Sequence, residues 1–182
     1  MAMQFELRKA TRYDQERIER LIAESVRGLS SDDYSATQIE LSIQSVFGVD
    51  LELIDDQTYF VAEAADGTLA GCGGWSKRRT LYGASRYEES RDSEELDPRK
   101  DAAKIRAFFI NPEFARKGIG TAILRACEDE TRSHGFALAE MMSTLPGVKL
   151  YSVHGYDGDE RVPVPVGEGA SIDCIRMTKA LR

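Results

Sequence analysis

The stretch Phe108-Phe109-Ile110-Asn111-Pro112-Glu113-Phe114-Ala115-Arg116-Lys117-Gly118-Ile119-Gly120-Thr121 decides how this chain is read. Lys104 to Ile110 reads as a strand, and Asn111-Pro112 stops it. Gly118-Ile119-Gly120-Thr121 opens a helix whose apolar face is Ile119, Ile123, Leu124 and Cys127, with Gly135 as its cap. A strand, a short connection and a glycine-rich helix start bring several backbone N–H groups to one place. The partial positive charge of a helix N-terminus suits phosphate oxygens, and glycine lets them approach closely. Two common phosphate-binding patterns do not fit. A P-loop needs Gly-Lys-Ser/Thr after four intervening residues, and a dinucleotide fingerprint needs a third glycine where Ile123 stands.

Outward from this segment the chain alternates strands and helices. Phe5 and Leu7 mark a short strand from Gln4 to Lys9. Thr11 and Asp14 form a capping box ahead of Ile18, Leu21, Ile22, Val26 and Leu29, which recur at helical spacing. Ser35 and Gln38 offer a second box before Ile39, Ile43, Val46 and Phe47, with Gly48 as the expected stop. Thr58 to Ala64 and Thr68 to Trp75 read as a hairpin whose Asp66-Gly67 turn calls for positive φ at both positions. Ser76 to Ala103 holds seven basic and seven acidic residues and neither a strand nor a helical face. A connection so long is usually functional or disordered. After the helix at Gly118, Phe136 to Met142 is strand-like, Pro146 to Val153 is a short helix ended by Gly155, and Arg161 to Val166 pairs with Ile172 to Thr178 around Gly167-Glu168-Gly169. The order βααββ, loop, βαβαββ describes one mixed-sheet α/β domain over residues 1–182, with a long loop before the fourth strand.

Composition limits the function. The 182 residues carry 24 Lys+Arg against 31 Asp+Glu, a net charge of −7, which argues against nucleic-acid and anionic-membrane partners. Cys72, Cys127 and Cys174 are odd in number and widely spaced, and only His134 and His154 could join them. That pattern indicates buried thiols in a reducing compartment and no metal site. Charges within the first ten residues argue against a secretory signal, and no apolar run nears the ~18 residues of a transmembrane helix. A cytoplasmic protein is expected.

The central segment resembles the pyrophosphate loop of the GNAT superfamily of N-acetyltransferases. The family's Arg/Gln-x-x-Gly-x-Gly/Ala core falls on Ala115-Arg116-Lys117-Gly118-Ile119-Gly120, with Ala in the first place. Leu150-Tyr151-Ser152-Val153-His154-Gly155-Tyr156 is similar to the family's Tyr-x-x-x-Gly-Phe element, and the elements stand in family order over nearly the whole chain. The resemblance implies a GNAT-like acyl-CoA N-acyltransferase fold and acetyl-CoA as cosubstrate. It implies that Phe108, Phe109 and Ile110 offer backbone groups to pantetheine and thioester. Arg116, Lys117, Gly118, Ile119, Gly120 and Thr121 would hold the pyrophosphate.

The implied chemistry is direct attack of a primary amine, of a small molecule or peptide, on the thioester. An amine with pKa near ~10 is mostly protonated at neutral pH, so a base or water chain is useful. A strand amide near Ile110 would polarise the carbonyl. Tyr151 matches the family's general acid for the departing thiolate, its alternative being a packing tyrosine. Glu140 is the candidate base, displaced by one residue from the family's usual place, with a surface carboxylate as the alternative. Glu63 is a weaker candidate, and His154 and His134 read as helix-end residues. Competing functions are a non-catalytic acyl-CoA-binding module and an acyltransferase using a longer acyl-CoA. The acceptor and the oligomeric state, a homodimer included, stay open.

Overall fold

The computed structural model describes residues 4–182; the first three residues, on which part of the N-terminal reading rests, lie outside them. Seven strands form one mixed sheet in the order β1-β2-β3-β4-β5-β7-β6. They are β1 (Phe5–Lys9), β2 (Tyr59–Ala64), β3 (Leu69–Ser76), β4 (Ala103–Ile110), β5 (Leu138–Thr144), β6 (Asp157–Gly167) and β7 (Ala170–Ala180). The helices are α1 (Gln15–Leu29), α2 (Ala36–Gln44), α3 (Leu51–Asp55), α4 (Ile119–Ser133) and α5 (Val148–Val153). Alternate strand residues feed two cores. Tyr59, Val61 and Cys72 pack with Ile18, Leu21 and Ile22 of α1, while Phe60, Ala62 and Ala70 pack with Ile123, Leu124 and Cys127 of α4.

Local signals account for most boundaries. The Thr11–Asp14 box forms, capping a single 3₁₀ turn that leads into α1, and Arg8 adds two 2.8 Å hydrogen bonds to the Asp14 carboxylate. Ser35 caps α2 reciprocally with Gln38. That helix ends at Gln44, short of Gly48, because the Arg86 guanidinium donates to the carbonyls of Ile43 and Gln44 and stops the turn. The expected two helices are three: Asp50 accepts from the Glu52 amide at 3.0 Å and starts α3, too short for its periodicity to show in sequence. In the Asp66-Gly67 turn only Gly67 takes a positive φ, +85°. Asp66 instead accepts from the Thr68 amide at 3.0 Å, so one left-handed residue closes the hairpin.

The connection from 77 to 102 has no regular element beyond an Arg78–Glu95 bridge, yet it is tightly held. Thr80 exchanges hydrogen bonds with Asp92, Arg78 grips Asp56 at 2.8 Å, and the Tyr87 hydroxyl donates to Pro165 O at 2.9 Å. Its charges are spent on one another and on the domain, so the opposite-sign composition encodes a folded strap.

One departure from regular pairing creates the site. β4 and β5 are parallel and pair only at Ala103↔Ala139 and Lys104↔Glu140, after which they part. In the same strand Ala107 takes φ +56°, and the β3–β4 register skips between Cys72 and Gly74. That is a β-bulge, which bends the strand and re-aims its side chains. Gly73 makes the bend possible, since a Cβ there would sit 2.8 Å from the Phe108 ring.

Candidate active site

Two cavities lie along the gap between β4 and β5. The larger, about 520 Å³, is bounded by the α4 N-terminus, by Ser25 and Val26 of α1, and by Leu150 and Tyr151 of α5. The smaller, about 70 Å³, lies between Ile105–Phe109, Met141–Thr144, Val46–Gly48 and Leu81–Ala84. Phe47, Phe108, Phe109, Thr144 and Tyr151 border both, so the two spaces meet at this wall.

The helix start carries the features of an anion site. Asn111 fixes the preceding turn: its Oδ1 accepts from the Glu113 amide at 3.0 Å and its Nδ2 donates to Leu69 O at 3.2 Å. Gly118 then takes φ +85° as the N-cap of α4, a conformation that strains any residue with a Cβ. No side chain caps this helix, in contrast to Ser35 on α2. Its first-turn amides are therefore donors without a capping partner, facing a cavity.

Of the residues the sequence singles out, Phe108, Phe109, Ile110, Arg116, Gly118, Ile119, Gly120 and Thr121 all border the larger cavity. Ile119 is 1% exposed, so its side chain belongs to the core and only its backbone is offered to the space. Lys117 is not on the lining; its Nζ turns back to Glu113 O at 3.0 Å. The Ile110 amide donates to Ser25 Oγ at 3.1 Å, which commits the strand donor named from sequence. Thr121 Oγ1 meets His154 Nε2 at 3.0 Å, tying the end of α5 to the start of α4.

Tyr151 stands at the wall between the cavities, buried, with its ring edge-on to Phe108. Burial, and less strongly the neighbouring Cys127, push its hydroxyl well above the ordinary tyrosine range, so it is a neutral proton donor at neutral pH.

Glu140 is placed elsewhere. It borders neither cavity. Its carboxylate is buried between the Lys104 ammonium and the Arg176 guanidinium, the latter at 2.8 Å. Burial works to raise its pKa, but the hydrogen bonds from Lys104 and Arg176 outweigh it and hold the group below the usual carboxylate range. Glu140 shares its sheet face with Met142, which does border the smaller cavity, but it lies two residues further back on β5, beside Lys104 where β4 and β5 are still paired. Glu63 is likewise engaged, by Arg8 at 2.7 Å. Among the described residues no carboxylate borders either cavity.

Sequence reading missed Ser25, whose signal was present: a serine inside the apolar stripe of α1, one turn from both Leu21 and Ile22. It also missed Arg106, 3% exposed, which borders the smaller cavity and pairs with Asp50 at 2.8 Å. Nothing local announces that pair, because its members are 56 residues apart.

An uncapped glycine-rich helix start thus lies beside a splayed pair of parallel strands. The model of the acetyltransferase (GNAT) family matches residues 20–156, and the chain belongs to that family. Its fold is similar to a GCN5-related N-acetyltransferase from Rhodopseudomonas palustris, at TM-score 0.71 and 18% identity over 99% of this chain and 98% of that one. It is also similar to the PaiA N-acetyltransferase from Thermoplasma acidophilum in complex with coenzyme A, at TM-score 0.65 and 18% identity over 98% and 99%. A third similar structure is YncA from Salmonella typhimurium with acetyl-CoA, at TM-score 0.63 and 16% identity over 98% and 95%. No curated protein matches the chain in sequence. Among the described residues no helix is long and apolar enough to cross a membrane.

Proposed function

We propose that this protein is a cytoplasmic enzyme that transfers the acetyl group of acetyl-CoA to a primary amine of a small molecule or peptide by direct attack. The observation that carries the reading is the uncapped α4 N-terminus opening on a cavity that meets a second one at Tyr151. The residues fit the coenzyme: the α4 amides and Arg116 suit the pyrophosphate, and the backbone of Phe108, Phe109 and Ile110 suits pantetheine along the parted edge of β4. Lys117, turned away, adds only long-range positive charge. Acetyl-CoA supplies an electrophilic acyl carbon on a thiolate leaving group. With the Ile110 amide committed to Ser25, the Phe108 amide at the bulge is the donor we assign to the thioester carbonyl. Tyr151 donates the proton that the departing sulfur needs. The free thiols of Cys72, Cys127 and Cys174, all buried, suit a reducing compartment.

Calorimetry of acetyl-CoA with Gly120→Leu tests the donor site. A Cβ at Gly120 already comes within 2.9 Å of Leu150, so a leucine must project toward the cavity or displace α5. Affinity at least tenfold weaker in a variant with wild-type circular dichroism is expected; unchanged affinity overturns the assignment.

A further inference from the structure

We infer that the acceptor is a compact, apolar amine taken up as its neutral base, and that polyamines and other polycations are poor acceptors. This rests on the transferase reading above and adds the chemical class of its second substrate. The smaller cavity is the space left for the acceptor once the larger one holds the coenzyme. Its volume of about 70 Å³ is room for roughly five waters, enough for a ring or a short branched chain. Val46 and Phe47 before α3, Ile105 on β4, Met141 and Met142 on β5 and Ile172 on β7 give it apolar walls, while Ser143, Thr144, Tyr82 and Tyr151 add polar groups that carry no charge.

The charges at this cavity point the same way. An ammonium entering an apolar space needs a carboxylate, and none borders it. The one formal charge on the lining is cationic, Arg106, whose Nη2 donates to Asp50 and to the carbonyl of Gly83, while its buried Nε–H has no partner. Asp50 is itself shared with Arg91 at 3.0 Å, so it has no share left for a ligand. The other titratable groups on the wall are Tyr82 of the strap, Tyr151 of α5 and Cys174 of β7; α2, β5 and β6 contribute none. Burial raises the two tyrosines and pushes Cys174 up to about 12, so none of them takes a proton from an amine near neutral pH. The amine must therefore arrive deprotonated. A lysine-like amine is neutral in only about one molecule in a thousand at pH 7.4, whereas an α-amino or aryl amine is neutral far more often. The neutral lone pair forms the N–C bond as the C–S bond breaks; the nitrogen's surplus proton leaves to water, and the thiolate takes one from Tyr151.

The test is thiol release at saturating acetyl-CoA with benzylamine, substituted anilines, phenylalanine amide, putrescine and spermidine. Acetyl-CoA binding is measured separately by calorimetry. The best apolar monoamine should exceed both polyamines at least tenfold in kcat/KM. For that monoamine kcat/KM should rise tenfold per pH unit up to the free amine's own pKa. A polyamine within tenfold of the best monoamine, or a plateau well below the amine's pKa, overturns the inference and leaves the transferase reading standing. Bound acetyl-CoA with no transfer to any amine overturns both.

Discussion

The ring of Tyr151 meets that of Phe108 edge-on, with centroids 6.0 Å apart and planes at 79°, and on its other side meets Tyr156 at 6.0 Å and 72°. Such edge-to-face contacts each add about 1 kcal/mol beyond area burial. Held between two rings, Tyr151 cannot swing away from the wall where the cavities meet. The glycine opposite Phe108 and the bulge at Ala107 thus set the position of a hydroxyl that lies more than forty residues further along the chain.

Tyr151→Phe keeps that aromatic packing and removes only the hydroxyl. Acetyl-CoA affinity is expected to stay within about twofold. The single-turnover rate should fall by roughly 10²–10⁴, the range for loss of a positioned acid. Because burial raises the Tyr151 pKa, its donor form persists as pH rises, and wild-type kcat should show no loss from tyrosine ionisation up to about pH 9. Single-turnover rates equal to wild type would remove the hydroxyl from the mechanism.

Glu140→Gln separates the buried carboxylate's structural part from a catalytic one. It leaves the Lys104 ammonium buried without its counter-charge, and breaking such a pair costs about 3–5 kcal/mol, which urea unfolding at pH 7 will read. Glu140 has a lowered folded-state pKa, so its contribution is present above the unfolded value near ~4.3 and is lost as pH falls below it. The stability gap between wild type and variant should therefore narrow below about pH 4. At a temperature where both are folded, kcat should agree within threefold; a loss of a hundredfold or more would return Glu140 to the chemistry.

Tyr82→Ala opens one wall of the smaller cavity, where Tyr82 of the strap stands half-buried. The lost apolar contact is worth about 1.5–3 kcal/mol at most, so acceptor KM should rise roughly tenfold. Acetyl-CoA affinity, measured by calorimetry, should not move. Unchanged acceptor KM would make the strap a spacer.

Asp50→Asn tests what holds the strap over the cavity. Asp50 and Arg106 are each 1% exposed at the side chain and 2.8 Å apart, and Arg91 of the strap binds the same carboxylate. Removing the charge leaves a buried guanidinium uncompensated, a loss of about 3–5 kcal/mol. For a domain of this size that lowers Tm by roughly 10 °C. A Tm within 2 °C of wild type would show the pair to be dispensable.

Much of the chain was legible without coordinates because the informative signals are local. Capping boxes at Thr11 and Ser35, the apolar stripes of α1 and α4, the Asp66-Gly67 hairpin and the uncapped Gly118-Ile119-Gly120 start all act within a few residues. They fix the element order and the glycine-rich turn. The five-residue α3 escaped because it is shorter than two helical turns. The strap from 77 to 102 was unreadable as structure because its order comes from charges pairing across the sequence, Arg78 with Asp56 and Arg91 with Asp50.

What the sequence by itself determined is the mixed α/β order, the glycine-rich turn and the candidate tyrosine, since backbone propensity and spacing carry all three. Tertiary structure alone decided which carboxylates are free. Glu140 reads as a base in one dimension, but it stands where β4 and β5 are still paired, and Lys104 and Arg176 bind it there. It alone decided that β4 and β5 part after two residue pairs, because that depends on the Ala107 bulge and on Gly73 beneath Phe108. And it alone brought Asp50 and Arg106 together, because ion pairing follows distance in space and is indifferent to distance along the chain.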